Sequence, residues 1–331
     1  MTAADPIGLQ VRDLRIDIGG AHVVDGVSFA VKPGEVVALV GESGCGKSLT
    51  ALALLGLLPD AARVSRGAIF LNNRELTSLA ERDLQRIRGR DLSIIFQEPT
   101  ASLDPLSTVG SQIAEAYRVH HKVTHQESMM RARAMLDAVG IPDPDRRLEQ
   151  FPFELSGGMC QRIMIAIALI CGPKILVADE PTTALDVTIQ AQILSLMRKL
   201  VAEHQTGIVL ITHDMGVVAD LADRVVVMYA GRIAEIAPVE DLFQQPHHPY
   251  TALLLASVPH VDVSSKMELA TIEGSVPTLD KMGAGCRFAD RCPLASAPCI
   301  AQPPLREFSD NHQVACWRAD DVPGLKLVRR S

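Results

Sequence analysis

The run Gly41-Glu42-Ser43-Gly44-Cys45-Gly46-Lys47-Ser48 follows the pattern G-x-x-x-x-G-K-[ST]. That spacing cradles the phosphates of a nucleotide: glycines free backbone N–H groups to turn toward the anion, and the N-terminus of a following helix adds positive potential. Gly41, Ser43, Gly44, Cys45, Gly46, Lys47, Ser48 and Leu49 form the expected phosphate-binding set. Lys47 would reach the β- and γ-phosphates and Ser48 would hold Mg²⁺. Further along, the apolar run Ile175–Ala178 ends in two carboxylates, Asp179 and Glu180. Asp179 suits a place near Mg²⁺, and Glu180 suits a general base that polarises the attacking water. Thr212-His213-Asp214 again stands where an apolar run stops, so His213 could bond to the γ-phosphate. Leu155-Ser156-Gly157-Gly158-Met159-Cys160-Gln161 has a good helix N-cap, Ser156, followed by two glycines. Glycines at a first helical turn weaken the helix but bare its N–H groups, which makes an anion site without a lysine.

These residues need elements to hold them. From Gly8 to about Ala38 the pattern alternates and predicts strands, with a turn at Pro33-Gly34. Strand-like runs recur at Ala68–Leu71, Leu92–Phe96, Ile175–Ala178, Ile208–Ile211 and Val225–Met228. Helical patterns cover Leu76–Ile87, Val109–His120, Gln126–Val139, Gly157–Ile170 and Ile189–Glu203. Alternating strands and helices predict an α/β fold with a mainly parallel core sheet. Residues 99–165 show helices only, which predicts a helical subdomain; Arg232–Ile236 suggests a closing hairpin. After about Pro259 prolines become frequent and periodicity fades, so we expect one domain over 1–258 and a separate extension over 259–331.

The 331 residues carry 47% hydrophobic side chains and a net charge of −7, enough for a sizeable core and unlike a general nucleic-acid binder. At 4%, aromatics are too scarce for base-stacking surfaces. The longest apolar runs, such as Leu49–Leu58, are about half the roughly twenty residues a membrane span needs. Met1–Pro6 lacks a basic stretch followed by an apolar one, so a cytoplasmic location is expected, with any membrane contact made through a partner.

In this order the motifs resemble those of the ATP-binding cassette (ABC) ATPases, over about residues 8–258. Leu155–Gln161 matches the family signature, Gln97 the Q-loop glutamine, Thr183-Ala184-Leu185-Asp186 the D-loop and His213 the switch histidine. The resemblance implies two ATPase subunits packed head to tail, with each ATP between one phosphate loop and the other subunit's Ser156, Gly157, Gly158 and Gln161. It further implies Mg²⁺ near Ser48, Gln97 and Asp179, with Glu180, His213 and Gln97 as catalytic residues and Asp186 near the nucleotide. Phe151–Glu154, Ala178–Thr188, Met228–Arg232 and His248–Thr251 look like the ATPase subunits of dipeptide and oligopeptide importers, whose relatives carry nickel or glutathione. Partners implied are a second ATPase subunit, two membrane permeases and an extracytoplasmic binding protein, with the chain peripheral on the cytoplasmic face of the cell membrane. A soluble ABC protein acting on DNA or ribosomes, or an exporter ATPase, fits less well: one cassette is present, no sustained heptads appear, and the C-terminal extension disfavours an exporter. Cys160 and Phe153 stand where that group has Arg and His, and no aromatic near Ile18 is available to stack on adenine, leaving His22 as a possible contributor.

Four of the seven cysteines, Cys286, Cys292, Cys299 and Cys316, fall in the last fifty residues. Four thiolates could hold zinc or an iron–sulfur cluster. The spacing lacks the paired C-x2-C of most zinc ribbons and also differs from ferredoxin spacings. The resemblance of Gly285-Cys286-x-Phe288-x2-Arg291-Cys292-Pro293 to the peptide-importer group implies a 4Fe-4S cluster in at least some members. Separation in sequence from every nucleotide motif predicts a structural or regulatory role there. Cys45, at a helix N-terminus that lowers a thiol pKa, could be alkylated or oxidised.

Overall fold

Three runs, Val36–Val40, Ile175–Asp179 and Gly207–Ile211, are apolar almost throughout and buried along their whole length. Such runs suit parallel strands covered on both faces. In the computed structural model, which describes residues 8–182, 187–257, 272–278 and 282–323, they are strands. In chain order the strands are β1 (Leu9–Ile18), β2 (Ala21–Val31), β3 (Val36–Val40), β4 (Ala62–Leu71), β5 (Arg74–Glu75) and β6 (Leu92–Ile95). They continue with β7 (Ile175–Asp179), β8 (Gly207–Ile211), β9 (Arg224–Tyr229), β10 (Arg232–Pro238), β11 (Arg306–Ser309) and β12 (His312–Val314). The helices are α1 (Lys47–Leu54), α2 (Glu81–Gln85), α3 (Pro99–Ser102), α4 (Val109–Arg118), α5 (His125–Ala138) and α6 (Pro144–Leu148). Then come α7 (Gly157–Leu169), α8 (Val187–His204), α9 (Met215–Leu221), α10 (Val239–Gln244) and α11 (Pro249–Ala256).

The chain forms two compact units. The first contains Val31–Val36 and Leu71–Ile211, together with Gly8 and Leu9. Here β6, β7 and β8 lie side by side in parallel register, Leu92 opposite Ile175 and Ile175 opposite Gly207. Between β6 and β7 the chain is helical, and α3, α4 and α5 pack on α7, as the pattern over 99–165 predicts. Thr124 and Glu127 close a capping box at the start of α5, each side chain bonding the other's backbone N–H.

The second unit contains Gln10–Ala30, Val37–Phe70 and the chain from Thr212 onward. β1 lies between β2 and β4. β3 runs parallel to β9, and β9 turns through Ala230 and Gly231 into antiparallel β10. The sheet is therefore mixed rather than mainly parallel. Past the composition change, β12 pairs antiparallel with β10, Glu235 opposite Val314, and β11 pairs with β12. Residues 306–314 thus extend the sheet that sequence patterning closes at β10: β11 is mostly exposed and β12 is only three residues long, too little for a readable pattern. Patterning also misses α9, α10 and α11, and overextends α2. Among the described residues, no helix is long and apolar enough to cross a membrane.

Candidate active site

The phosphate loop runs from the end of β3 into α1. Gly41 has φ 148°, and a Cβ there would lie 2.2 Å from the Met228 carbonyl oxygen and 2.9 Å from Cys45 Sγ, so only glycine fits. Gly46 takes φ 99° as the residue before α1, close against Val24. The Lys47 ammonium is buried and donates to the carbonyls of Gly41 at 2.7 Å and Glu42 at 3.1 Å. The loop is braced from behind: Gly231 N–H donates to the Cys45 carbonyl at 3.0 Å, and Asp25 N–H donates to the Gly231 carbonyl at 2.8 Å. Cys45 corrects a sequence expectation. It is wholly buried, and burial raises its thiol pKa despite Lys47 beside it, so the helix N-terminus does not make it reactive.

In the other unit, β7 delivers Asp179, 9% exposed, and Glu180 immediately after it. Glu180 has φ 49°, a left-handed conformation unusual for a residue with a side chain, and its N–H donates to the Ile211 carbonyl at 2.8 Å. Gln97, two residues beyond β6, donates from Nε2 to Glu180 Oε2 at 3.0 Å. Thus the folded chain joins two residues 83 apart in sequence. Ser156 caps α7, accepting from Met159 N–H at 3.4 Å, and Ser156 and Gly157 are exposed. A Cβ at Gly157 would meet open space, so nothing within this chain requires glycine there. Gln161 turns inward instead: it is 1% exposed and donates to the Pro181 carbonyl at 2.8 Å, holding the loop after β7. Cys160 is buried, with its thiol donating to the Pro152 carbonyl at 3.4 Å, whereas Phe153 is exposed and stacks on Phe151.

His213 lies exposed between Thr212 and Asp214, the N-cap of α9, whose carboxylate accepts from Gly216 and Val217 N–H. Thr183–Asp186 lie outside the described residues, so the predicted D-loop has no structural account. Near Ile18, Gly19 and Gly20 turn the chain at positive φ, and His22 Nδ1 lies 2.7 Å from Asp17 Oδ1.

All four C-terminal cysteines line one small cavity together with His248, Phe288 and Trp317. Cys286 N–H donates to the Cys299 carbonyl at 2.9 Å. Burial pushes the thiols of Cys292 and Cys316 up to about 11 and raises that of Cys286. Among the described residues, no group of three or more His, Cys, Asp or Glu is gathered closely enough to hold a metal ion. The cysteine segment is not remote from the nucleotide motifs, contrary to its separation in sequence. Arg291 makes two hydrogen bonds to the Glu42 carboxylate of the phosphate loop, at 2.6 and 2.9 Å. Arg287 pairs with Asp25 at 2.9 Å and also bonds the Ala230 carbonyl. Tyr250, fully buried in a cluster with Tyr229 and Phe288, accepts from Glu42 N–H at 2.8 Å.

Comparison with known sequences and structures agrees with this arrangement. Residues 24–183 match the ABC transporter family, and residues 234–299 match the oligopeptide/dipeptide transporter C-terminal region. The chain is 50% identical over 323 residues to a probable peptide ABC transporter ATP-binding protein, y4tR, of Sinorhizobium fredii, covering 96% of each chain. It is 49% identical over 318 residues to the dipeptide transport ATP-binding protein DppD of Bacillus subtilis, covering 94% of this chain and 95% of that one. Among solved structures, the ATP-binding cassette MJ0796, a dimer in a post-hydrolysis state with ADP and Pi, matches with TM-score 0.64 and 26% identity over 70% of this chain and 98% of that one. The protein cbiO1 of Clostridium perfringens, part of the ABC transporter complex cbiONQ, matches with TM-score 0.62 and 28% identity over 72% of this chain and 91% of that one. The chain belongs to the ATP-binding proteins of ABC transporters, in the branch that carries the oligopeptide/dipeptide transporter C-terminal region.

Proposed function

We propose that this chain binds and hydrolyses ATP to energise import of dipeptides or oligopeptides through membrane permeases. The observation carrying the chemistry is the Gln97–Glu180 hydrogen bond, which orients a carboxylate at the end of a buried strand. Glu180 takes the proton of the attacking water, and Gln97 fixes its carboxylate. Lys47 exchanges the carbonyls of Gly41 and Glu42 for phosphate oxygens, and the backbone of Ser43–Leu49 cradles the rest. Ser48 and Asp179 offer hard oxygen donors that suit Mg²⁺, and Gln97 keeps the metal role that the family resemblance implies. When bound, Mg²⁺ neutralises charge on the phosphates. His213 contacts the γ-phosphate.

Ser156, Gly157 and Gly158 serve a second subunit, either a copy or a paralogue. The exposure of Ser156 and Gly157 and the open space over Gly157 support that reading. Asp186 is assigned to nucleotide binding through the D-loop resemblance. The peptide class rests on the C-terminal region and on relatives named for peptide and dipeptide transport. The nucleotide-binding domain runs over 1–258 and the extension over 259–331, the two joined by the β10–β12 pairing. The chain works at the cytoplasmic face of the membrane, beside two permeases supplied with substrate by an extracytoplasmic binding protein.

Cys286, Cys292, Cys299 and Cys316 are assigned to an iron–sulfur cluster in preference to zinc, on the resemblance of the C-terminal region to peptide importers. All four cysteines line one cavity, although among the described residues they are not gathered closely enough to hold a metal ion. Such a cluster would cross-link a segment that has little core of its own.

The test is purification with the neighbouring permeases in detergent and reconstitution in vesicles. Hydrolysis stimulated by peptide-loaded binding protein is expected. Copurification with ribosomes or DNA and no permease would overturn the transport reading.

A further inference from the structure

Glu42 lies on the phosphate loop, and its carboxylate carries the same sign of charge as a bound triphosphate. In the folded chain it is held at three points. Its N–H donates to Tyr250 Oη at 2.8 Å, its carbonyl accepts from Lys47 at 3.1 Å, and its carboxylate takes both ends of the Arg291 guanidinium. The Arg291 side chain is 7% exposed and that of Glu42 27%. Arg291 also donates to the Tyr229 hydroxyl at 3.2 Å and to the carbonyls of Glu273 at 2.8 Å and Ile272 at 3.2 Å. It is thus anchored on both sides while it grips the loop. A bidentate arginine–carboxylate pair fixes geometry as well as charge.

We propose that Arg291 is a positioning residue for nucleotide binding: it neutralises Glu42 and fixes the loop that carries Lys47, which makes the cysteine-bearing segment part of the ATP site. This rests on the ATPase reading above. With Arg291 gone, a bare carboxylate on the phosphate loop faces the incoming triphosphate. Repulsion, and not loss of fold, should then weaken binding, and removing the Glu42 charge as well should restore it.

The test is titration of the full-length chain with a non-hydrolysable ATP analogue and Mg²⁺, with a thermal melt of each variant alongside. R291Q is expected to raise Kd on the order of ten-fold, which is about 1.4 kcal/mol. The loss should shrink as salt is raised, since partly exposed charges are screened. The double variant E42Q/R291Q should return to within about three-fold of the parent, a coupling that a double-mutant cycle isolates. E42Q alone should bind at least as tightly as the parent. Parent-like binding by R291Q would overturn the proposal. So would E42Q weakening binding as much as R291Q, or a double variant as weak as R291Q, since either marks a merely structural pair. A parent chain that binds no nucleotide would instead sink the ATPase reading itself.

Discussion

At the residue scale, the proposed chemistry rests on Glu180. Its carboxylate is held by Gln97, and its backbone adopts φ 49° just past the end of β7. Such a conformation persists only where the surroundings impose it, here through the bond from Glu180 N–H to the Ile211 carbonyl. Glu180→Gln keeps the shape and removes the base. Hydrolysis in single turnover is expected to fall by roughly 10²–10⁴-fold while ATP affinity stays within about two-fold of the parent. Hydrolysis at the parent rate would reject Glu180 as the base. In the sequence Glu180 stands out as the second of two carboxylates that end a buried apolar run. Its partner Gln97 was legible only through resemblance to a family. The reactive thiol expected at Cys45 was not there to be read, because burial against Gly41 and Lys47 outweighs the helix N-terminus.

Regular elements with strong periodicity, such as α5, α7 and α8, fall within a few residues of their patterned ranges. The cysteine segment is the opposite case. Described residues 282–305 form short 3-10 turns, at Ala289–Arg291 and Ala297–Ile300, with no α-helix or strand. Turns of that kind bury little apolar surface, so cross-linking through the four cysteines would supply the order. Anaerobic purification should yield iron and inorganic sulfide in equal amounts, with little zinc. Removing the metal should lower the melting temperature by several degrees. Substoichiometric iron, sulfide and zinc alike, in an anaerobically prepared sample, would exclude a metal role for these cysteines. Zinc alone would correct the cluster reading.

For the molecule as a whole, the C-terminal chain is fastened within the second unit through buried polar groups that composition does not reveal. Glu235 is fully buried and accepts from the N–H groups of His247 at 2.7 Å and His248 at 3.1 Å, with His312 Nε2 2.7 Å away. His248 accepts from Tyr250 N–H, and burial pushes its pKa down to about 4 from 6.5, even with Glu235 nearby pulling the other way. The folded chain therefore refuses a proton that the unfolded chain accepts between those values. Stability from this group is intact above pH 6.5 and is lost as pH falls toward 4, by up to about 3 kcal/mol. Melting temperature should drop between about pH 7 and about pH 5. In H248N, which keeps a capping side chain for α11, the slope should be shallower. An unchanged slope in H248N would show that another group governs the pH response. Asp25 titrates lower still: burial alone would raise its pKa, but Arg232, Arg287 and Arg15 override it, so its contribution is lost only in stronger acid.

The sequence by itself determined the ligand class, the phosphate loop, the carboxylates after β7, the capped glycine pair and the alternation of strands and helices. These are local: each depends on spacing within a few residues, or on the burial a run of apolar side chains demands. Only the tertiary structure decided that Gln97 meets Glu180, that Gln161 faces inward to Pro181, that β12 extends the sheet at β10, and that Arg291 grips Glu42 across 249 residues. Those contacts join distant chain segments whose meeting depends on the packing of intervening elements, and a hydrogen bond between them leaves no period or spacing in the sequence to be read.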